Sequence, residues 1–237
     1  MTRVRPASSQ DWERKITANG FMAIAGIDEV GRGALAGPVV AGAVILPLFP
    51  SGHSEILDRI QDSKSLTPAQ RIAVAPIIEQ IATAFAIGEA SPQEVDSIGI
   101  SDATRLAMSR ALTSLPSTPD HLLVDGFVLE WRNIPSTAII HGDRVSTVIA
   151  AASIIAKVHR DTLMKEMDLR RPACHFGSHK GYGTSSHIAS LTRYGPSPIH
   201  RTTFSPLREL LAKLSLIHIS EPTRPRLSSY AVFCLKK

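Results

Sequence analysis

Cysteine is scarce: two residues, Cys174 and Cys234, occur in a chain of 237. That is too few for a disulfide framework or a cysteine-rich zinc site. Long apolar runs are also missing. No segment approaches the ~18 apolar residues of a membrane span, and the N-terminal MTRVRPASSQDWERKITANG has no continuous apolar stretch of signal-peptide length. A cytoplasmic protein with no membrane partner is therefore expected. Internal repeats, low-complexity blocks and long linkers are absent too, so the body is expected to be one compact unit. Its 43% hydrophobic and 20% charged residues suit a globular fold.

Excess charge is less evident than the total of +5 suggests. Residues 214–237 contain LSLIHISEPTR followed by SSYAVFCLKK, which resembles the in-frame translation of a transposon-type sequencing adapter. This tail carries Arg224, Arg226, Lys236 and Lys237 against Glu221, so without it the formal charge falls to +2. Such a charge argues only weakly for a nucleic-acid partner. The tail would also displace any clamp-interaction motif of a natural C-terminus.

What is present is alternation. FMAIAGIDEV and PVVAGAVIL read as two buried strands joined as a hairpin through a glycine-rich turn. Thr67 and Pro68 are placed as N-cap and first residue of a helix that Pro76 is expected to bend. A strand near TAFAIGEA precedes Ser91, Pro92 and Glu94, which form a capping box, and a further helix is expected over roughly 102–114. HLLVDGF and STAIIHGD read as strands that finish in aspartates. They are followed by the longest helical pattern, VSTVIAAASIIAKVHRDTLMKEMDL, with an alanine-rich face. After Arg171 and Pro172 the chain turns rich in glycine, histidine and serine, before a last helix near 205–213. Strands alternating with helices after an opening hairpin indicate an α/β fold with a mixed sheet.

Four acids share one description. Asp28 and Glu29 lie at the end of the first strand, and Asp125 and Asp143 are each expected to close another. Neighbouring strands lie about 4.8 Å apart, so such positions can converge. Clustered carboxylates stay ionised together only where cations offset them, and an all-oxygen set suits Mg2+ or Mn2+ rather than zinc. Glu29 is at odds with this, because successive strand side chains face opposite ways. Either the strand twists or bulges there, or Glu29 acts partly through its carbonyl. Asp161 is excluded: a helix starting near Ser146 rises about 1.5 Å per residue, which puts Asp161 ~20 Å from its first turn. Lys157 and Asp161 are instead spaced to pair as i and i+4.

The segments GIDEVGRGALAGPVVAGAVIL, DSKSLTPAQR, LLVDGF, HGDRVSTVIAAASIIAKVHRD and HKGYGTSSHIASLTRYGPSPIHRTTFSP together resemble bacterial ribonuclease HII, in the family's order, over roughly residues 21–208. The resemblance implies a ribonuclease H-like fold with a mixed five-stranded sheet, flanking helices and a small helical C-terminal region. On it, 1–20 is an N-terminal extension, 21–171 the catalytic domain, 172–213 the helical region and 214–237 the adapter-derived tail. It further implies a monomer that cuts RNA in RNA/DNA hybrids and nicks 5′ of single ribonucleotides in duplex DNA, in the service of DNA repair. Two divalent ions, held by Asp28, Glu29, Asp125 and Asp143, would serve hydrolysis to 3′-hydroxyl and 5′-phosphate ends, with Asp28 shared between them.

The same resemblance assigns 2′-hydroxyl sensing to the backbone of Gly31, Arg32 and Gly33 and to Tyr182. Glycines let a main chain approach a sugar closely, and a tyrosine can donate to its hydroxyl. Lys64, Lys157 and Lys180 are phosphate-contact candidates, with Lys157 favoured instead as Asp161's partner. His175, His179, His187 and His200 lack the spacing of a compact zinc motif and are expected to pack in turns and helices, with His179 near substrate as the other option. A ribonuclease H of another type is disfavoured by the GRG and GYGT pair. A non-catalytic hybrid-binding module would be favoured by loss of any of the four acids, and all four are present.

Overall fold

The computed structural model describes residues 9–49, 57, 59, 60, 64–209, 211 and 212; the expected adapter-derived tail and Cys234 lie outside them. Described residues up to Arg201 form one compact unit, and those from Thr202 onward a second. Residues 172–201 thus share a unit with the sheet. In the second unit, residues 207–209, 211 and 212 are helical, inside the range expected for the last helix.

Five strands build the sheet: β1 Ile24–Val30, β2 Val39–Ile45, β3 Ala84–Ala90, β4 His121–Asp125 and β5 Ser136–Ile139. Their order is β3-β2-β1-β4-β5, with β1–β2 and β2–β3 antiparallel and β1–β4 and β4–β5 parallel. This is the expected mixed sheet opening on a hairpin. The helices are α1 Asp11–Thr17, α2 Pro68–Ile81, α3 Pro92–Ile98, α4 Ile100–Thr113, α5 Thr147–Arg170, α6 Phe176–His179 and α7 Ser185–Tyr194. Both expected capping boxes are in place: Thr67 with Gln70 on α2, and Ser91 with Glu94 on α3, each followed by proline.

Helix α5 lies on one face of β1 and β2, and α4 on the other face of the sheet. The first contact is close because two glycines permit it. A Cβ on Gly26 would stand 2.3 Å from the Val148 carbonyl carbon, and one on Gly42 would stand 2.4 Å from the Ala152 carbonyl oxygen. Side chains at these positions would collide with helix backbone, so the alanine-rich face of α5 can rest directly on the sheet. Gly42 pairs with Asp28 across the antiparallel ladder, and Gly26 lies two residues before it. Asp28 therefore faces α5 and Glu29 faces α4.

The start of α5 is held by the N-terminal segment. Ser9 and Ser146 form an isolated bridge, and Thr147 donates its N–H to the Ser9 carbonyl (3.0 Å). Buried Glu13 of α1 accepts from the Val148 N–H (2.9 Å) and the Ser146 hydroxyl (2.8 Å), satisfying helix-terminal donors.

One expectation needs correction. Asp143 does not close a strand: β5 ends at Ile139, and Asp143 sits in the 3-10 turn Gly142–Arg144. His141 adopts a left-handed conformation (φ 55°), which turns the chain before Gly142 donates its N–H to Asp125. In the histidine- and serine-rich stretch, α7 is a ten-residue helix capped by Thr184, whose hydroxyl accepts from the His187 N–H. It lies within residues 172–213, the stretch expected to be helical.

Candidate active site

The four acids meet at the C-terminal ends of β1 and β4. Asp28 is buried, and its carboxyl is pushed well above the usual carboxylate range, first by burial and then by Glu29, Asp125 and Asp143, against a Ser153 hydrogen bond that lowers it. Burial also raises Glu29, with Arg32 opposing and Asp125 adding to the effect. In Asp125 burial again raises the carboxyl, the Gly142 N–H lowers it and Asp143 raises it. The acids thus sense one another although they come from different elements.

Pairing of β1 with β2 is regular through Val30, so no bulge turns Glu29 towards Asp28. Glu29 instead stays on the α4 face. It lines a cavity of about 340 Å³ with Arg32, Ser101, Thr104, Arg105, Asp125, Gly126 and Phe127. At the strand ends the sheet no longer separates its two faces, and Asp125, which lines the same cavity, also senses Asp143 and Asp28.

Among the described residues, no three His, Cys, Asp or Glu side chains stand arranged to hold a metal ion. Each acid is turned to a proton donor: Asp28 to the Glu29 N–H (2.8 Å), Glu29 to Arg32 (3.2 Å), Asp125 to the Gly142 N–H (2.7 Å) and Asp143 to Lys64 (3.0 Å). Divalent ions nevertheless suit the donor set. The Oδ1 atom of Asp143 is buried with no hydrogen-bond partner, while its Oδ2 already takes an ammonium. The repulsion that raises Asp28 would be relieved by a cation.

Directly after Asp28 and Glu29 comes the glycine loop. Gly31 has φ +90°, and a Cβ there would stand 2.2 Å from Arg160 Nε, so glycine is required twice over. Gly33 faces open space. The loop adjoins the distant GYGT segment: Ala34 and Tyr182 form an isolated antiparallel bridge, and the Leu35 N–H donates to the Gly181 carbonyl (2.8 Å). The Tyr182 ring is half-buried, with Arg160 Cζ 5.4 Å and Lys157 Nζ 5.8 Å from its centroid.

Two buried arginines hold this junction, and the sequence reading missed both. Arg160 donates to the carbonyls of Pro38 (3.1 Å), Ala36 (3.0 Å) and Lys180 (2.9 Å). Arg201 donates twice to Gly37 (3.1 and 2.8 Å) and once to Arg32 (2.8 Å). Charged donors saturating backbone carbonyls make strong links in a dry interior. One signal for Arg160 was available: its i−4 and i+4 neighbours, Ala156 and Met164, are apolar and buried, so its side of α5 faces inward. Arg201 carried no comparable sign.

The lysines separate. Lys64 is exposed over Asp143. Lys157 donates to Asp161 (2.7 Å), whose other oxygen lies 3.9 Å from Arg71, so Asp161 stays outside the acidic set. Lys180 donates to the Gly177 carbonyl, and burial lowers its pKa. Of the histidines, His179, His187 and His200 are buried together around Phe176. His175 is an exposed, left-handed residue between the Pro172–Cys174 turn and α6.

The ribonuclease HII family model matches residues 25–206. A ribonuclease HII of Roseiflexus castenholzii (strain DSM 13941 / HLO8) is 50% identical over 198 residues, covering 84% of this chain and 88% of that protein. One from Chlamydia pneumoniae is 46% identical over 202 residues, covering 85% and 92%. Among solved structures, the ribonuclease H2 of Pyrococcus horikoshii OT3 matches with a TM-score of 0.68 at 26% identity, over 82% of this chain and 99% of that one.

Proposed function

The chain belongs to the ribonuclease HII family, metal-dependent endoribonucleases acting on RNA/DNA hybrids, and on that premise we propose that it also nicks 5′ of single ribonucleotides in duplex DNA. The products would carry 3′-hydroxyl and 5′-phosphate ends, and the role would be removal of ribonucleotides during replication and repair. The observation that supports this reading is the Ala34–Tyr182 bridge, which ties Tyr182 to the residue directly following Gly31–Gly33, in the segment that begins with Asp28 and Glu29. A sugar at that junction would meet bare backbone and a phenol together, and its 2′-hydroxyl is the group such a pair can recognise.

Asp28, Glu29, Asp125 and Asp143 are assigned to hold two divalent ions, Mg2+ or Mn2+. Asp28, which senses the other three, would be the ligand common to both. Ions bound there supply a water of lowered pKa and offset charge on the leaving 3′ oxygen. Glu29 contributes its side chain from the α4 face, where it shares a cavity with Asp125. Lys64, exposed over Asp143, is the phosphate contact best supported by geometry. Lys157 is committed to Asp161 and Lys180 to a backbone carbonyl, which favours structural roles for both.

The test is a duplex containing one ribonucleotide, incubated with the full chain and either Mg2+ or Mn2+. Nicking 5′ of the ribonucleotide is expected, with loss of at least ~100-fold in Asp125→Asn, the order of a deleted electrostatic group at a reacting centre. Absence of nicking with both metals, or equal nicking by the variant, refutes the proposal.

A further inference from the structure

The buried histidines form a directed chain that ends on Tyr182. Backbone N–H groups can only donate, and the Ser197 N–H donates to His200 Nδ1 at 2.8 Å, closer than the Ser197 carbonyl at 3.3 Å, so in the neutral ring that nitrogen is an acceptor. A neutral His200 then carries its proton on Nε2, which lies 3.0 Å from His187 Nε2. One proton serves that contact, so His187 Nε2 accepts and its own proton sits on Nδ1. From there it donates to the Tyr182 carbonyl (2.9 Å), which also accepts from the Thr184 N–H (2.8 Å). Every ring nitrogen in this path has its partner, and only one pair of tautomers satisfies them all.

The other side of the turn is held as directly. His179 stacks on His187 with centroids 4.1 Å apart and planes 14° apart. Its Nδ1 accepts from the Gly181 N–H (3.2 Å), its Nε2 donates to the Cys174 carbonyl (2.8 Å), and its own carbonyl accepts from the Tyr182 N–H (2.9 Å). The peptide groups on both sides of Tyr182 are therefore oriented by imidazoles or by their backbone. Packing alone would need no such matched donors and acceptors. A phenylalanine or leucine would fill the volume, but it would leave the Tyr182 carbonyl without its imidazole donor.

We propose that His187, with its tautomer set by His200, is a positioning residue for ribonucleotide selection: its Nδ1–H, together with the Thr184 N–H, fixes the Tyr182 peptide plane and hence the place of the phenol against the ribose. The proposal rests on the assignment of Tyr182 to 2′-hydroxyl sensing. Neither histidine touches substrate or the acids in this arrangement, and the effect passes through one peptide group.

Two substitutions separate donor geometry from volume. Asparagine at 187 places an amide N–H where Nδ1–H stands and can reach the Tyr182 carbonyl. Glutamine places its amide where Nε2 stands, meeting His200 and missing that carbonyl. Both lose the imidazole stack. The full chain with His187→Asn, His187→Gln and Tyr182→Phe is assayed on a duplex with one ribonucleotide, with kcat and KM measured separately and the melting temperature recorded. His187→Asn should keep kcat within about threefold of the parent, and His187→Gln should lose about tenfold, the scale of one buried hydrogen bond, at matched melting temperatures. Equal losses in the two variants, or a difference that merely follows the melting temperature, overturn the proposal.

Tyr182→Phe should lose cleavage at the single ribonucleotide. If it does and the two His187 variants are alike, the relay fails and the sensing assignment stands. If Tyr182→Phe cleaves like the parent, the sensing assignment fails and takes the relay's role with it. Should both His187 variants fail to fold, His200→Gln, which keeps the donor to His187, is compared with His200→Met, which removes it. Retention by glutamine and about a threefold loss by methionine is then expected, and parity between them overturns the proposal.

Discussion

Acid should weaken this protein through His200 in a way that a single substitution isolates. Burial is the largest cause lowering its pKa, from the ordinary 6.5 to about 4, followed by neighbouring His187; the Ser197 backbone opposes, and His179 and Arg171 lower it further. The folded state therefore prefers the neutral imidazole more strongly than the unfolded chain does. Between these two values the unfolded state binds more protons, so stability is full above about pH 6.5 and is lost as the pH falls towards about 4. Each tenfold change in a protonation equilibrium is worth about 1.4 kcal/mol, so the complete loss amounts to roughly 3 kcal/mol. Asp28, Glu29 and Asp125 have raised values and oppose this trend in the parent curve, so the comparison must be a difference. Urea unfolding of the parent and of His200→Gln, at intervals from pH 7.5 to 4, cancels those shared carboxylates. The parent should lose roughly 3 kcal/mol more than the variant across that range. Parallel curves would refute the preference of the folded state for neutral His200 over this range.

Three other outcomes are expected. Gly42→Ala would put a Cβ 2.4 Å from the Ala152 carbonyl oxygen, and the resulting overpacking between β2 and α5 should cost about 1–3 kcal/mol in chemical denaturation. Arg160→Met would strip the guanidinium from the carbonyls of Pro38, Ala36 and Lys180. A loss of about 3 kcal/mol or more is expected, with nicking falling further than the melting temperature alone accounts for, because the glycine loop loses its anchor. Saturating Mn2+ or Mg2+ should raise the melting temperature of the parent, since at 100 times Kd a ligand adds about 2.7 kcal/mol of stability. Asp143→Asn should reduce that gain, as read by calorimetry with and without chelator.

The strands were legible because each is a short apolar run bounded by turn residues, and α2 and α3 because their capping boxes are local chemistry. The start of α5 near Ser146 and the Lys157–Asp161 pair were legible along one helix. Asp28, Glu29 and Asp125 were legible as strand-end acids. Asp143 was misplaced by a few residues because a left-handed histidine is not announced by sequence pattern. Glu29 was the instructive case: strand alternation correctly put it on the opposite face from Asp28, yet whether it could still join the set depended on where the sheet ends. The bounds of α7, inside the stretch expected to be helical, were not legible, since its polar residues leave only a narrow buried stripe at His187 and Leu191.

Local sequence determined the elements, their caps and the identity of the chemistry-bearing residues, because propensity, capping and periodicity act over a few positions. Tertiary structure decided which of those residues meet. Ala34 pairs with Tyr182 across some 150 positions of chain, and nothing in either segment names the other. Arg160 and Arg201 look like ordinary basic residues until burial obliges them to find carbonyls. The histidines likewise gained definite tautomers only when folding placed a backbone donor at one end of their chain and the Tyr182 carbonyl at the other. Buried polar groups must be satisfied by whatever the fold brings within reach, and that requirement cannot be read from the sequence one segment at a time.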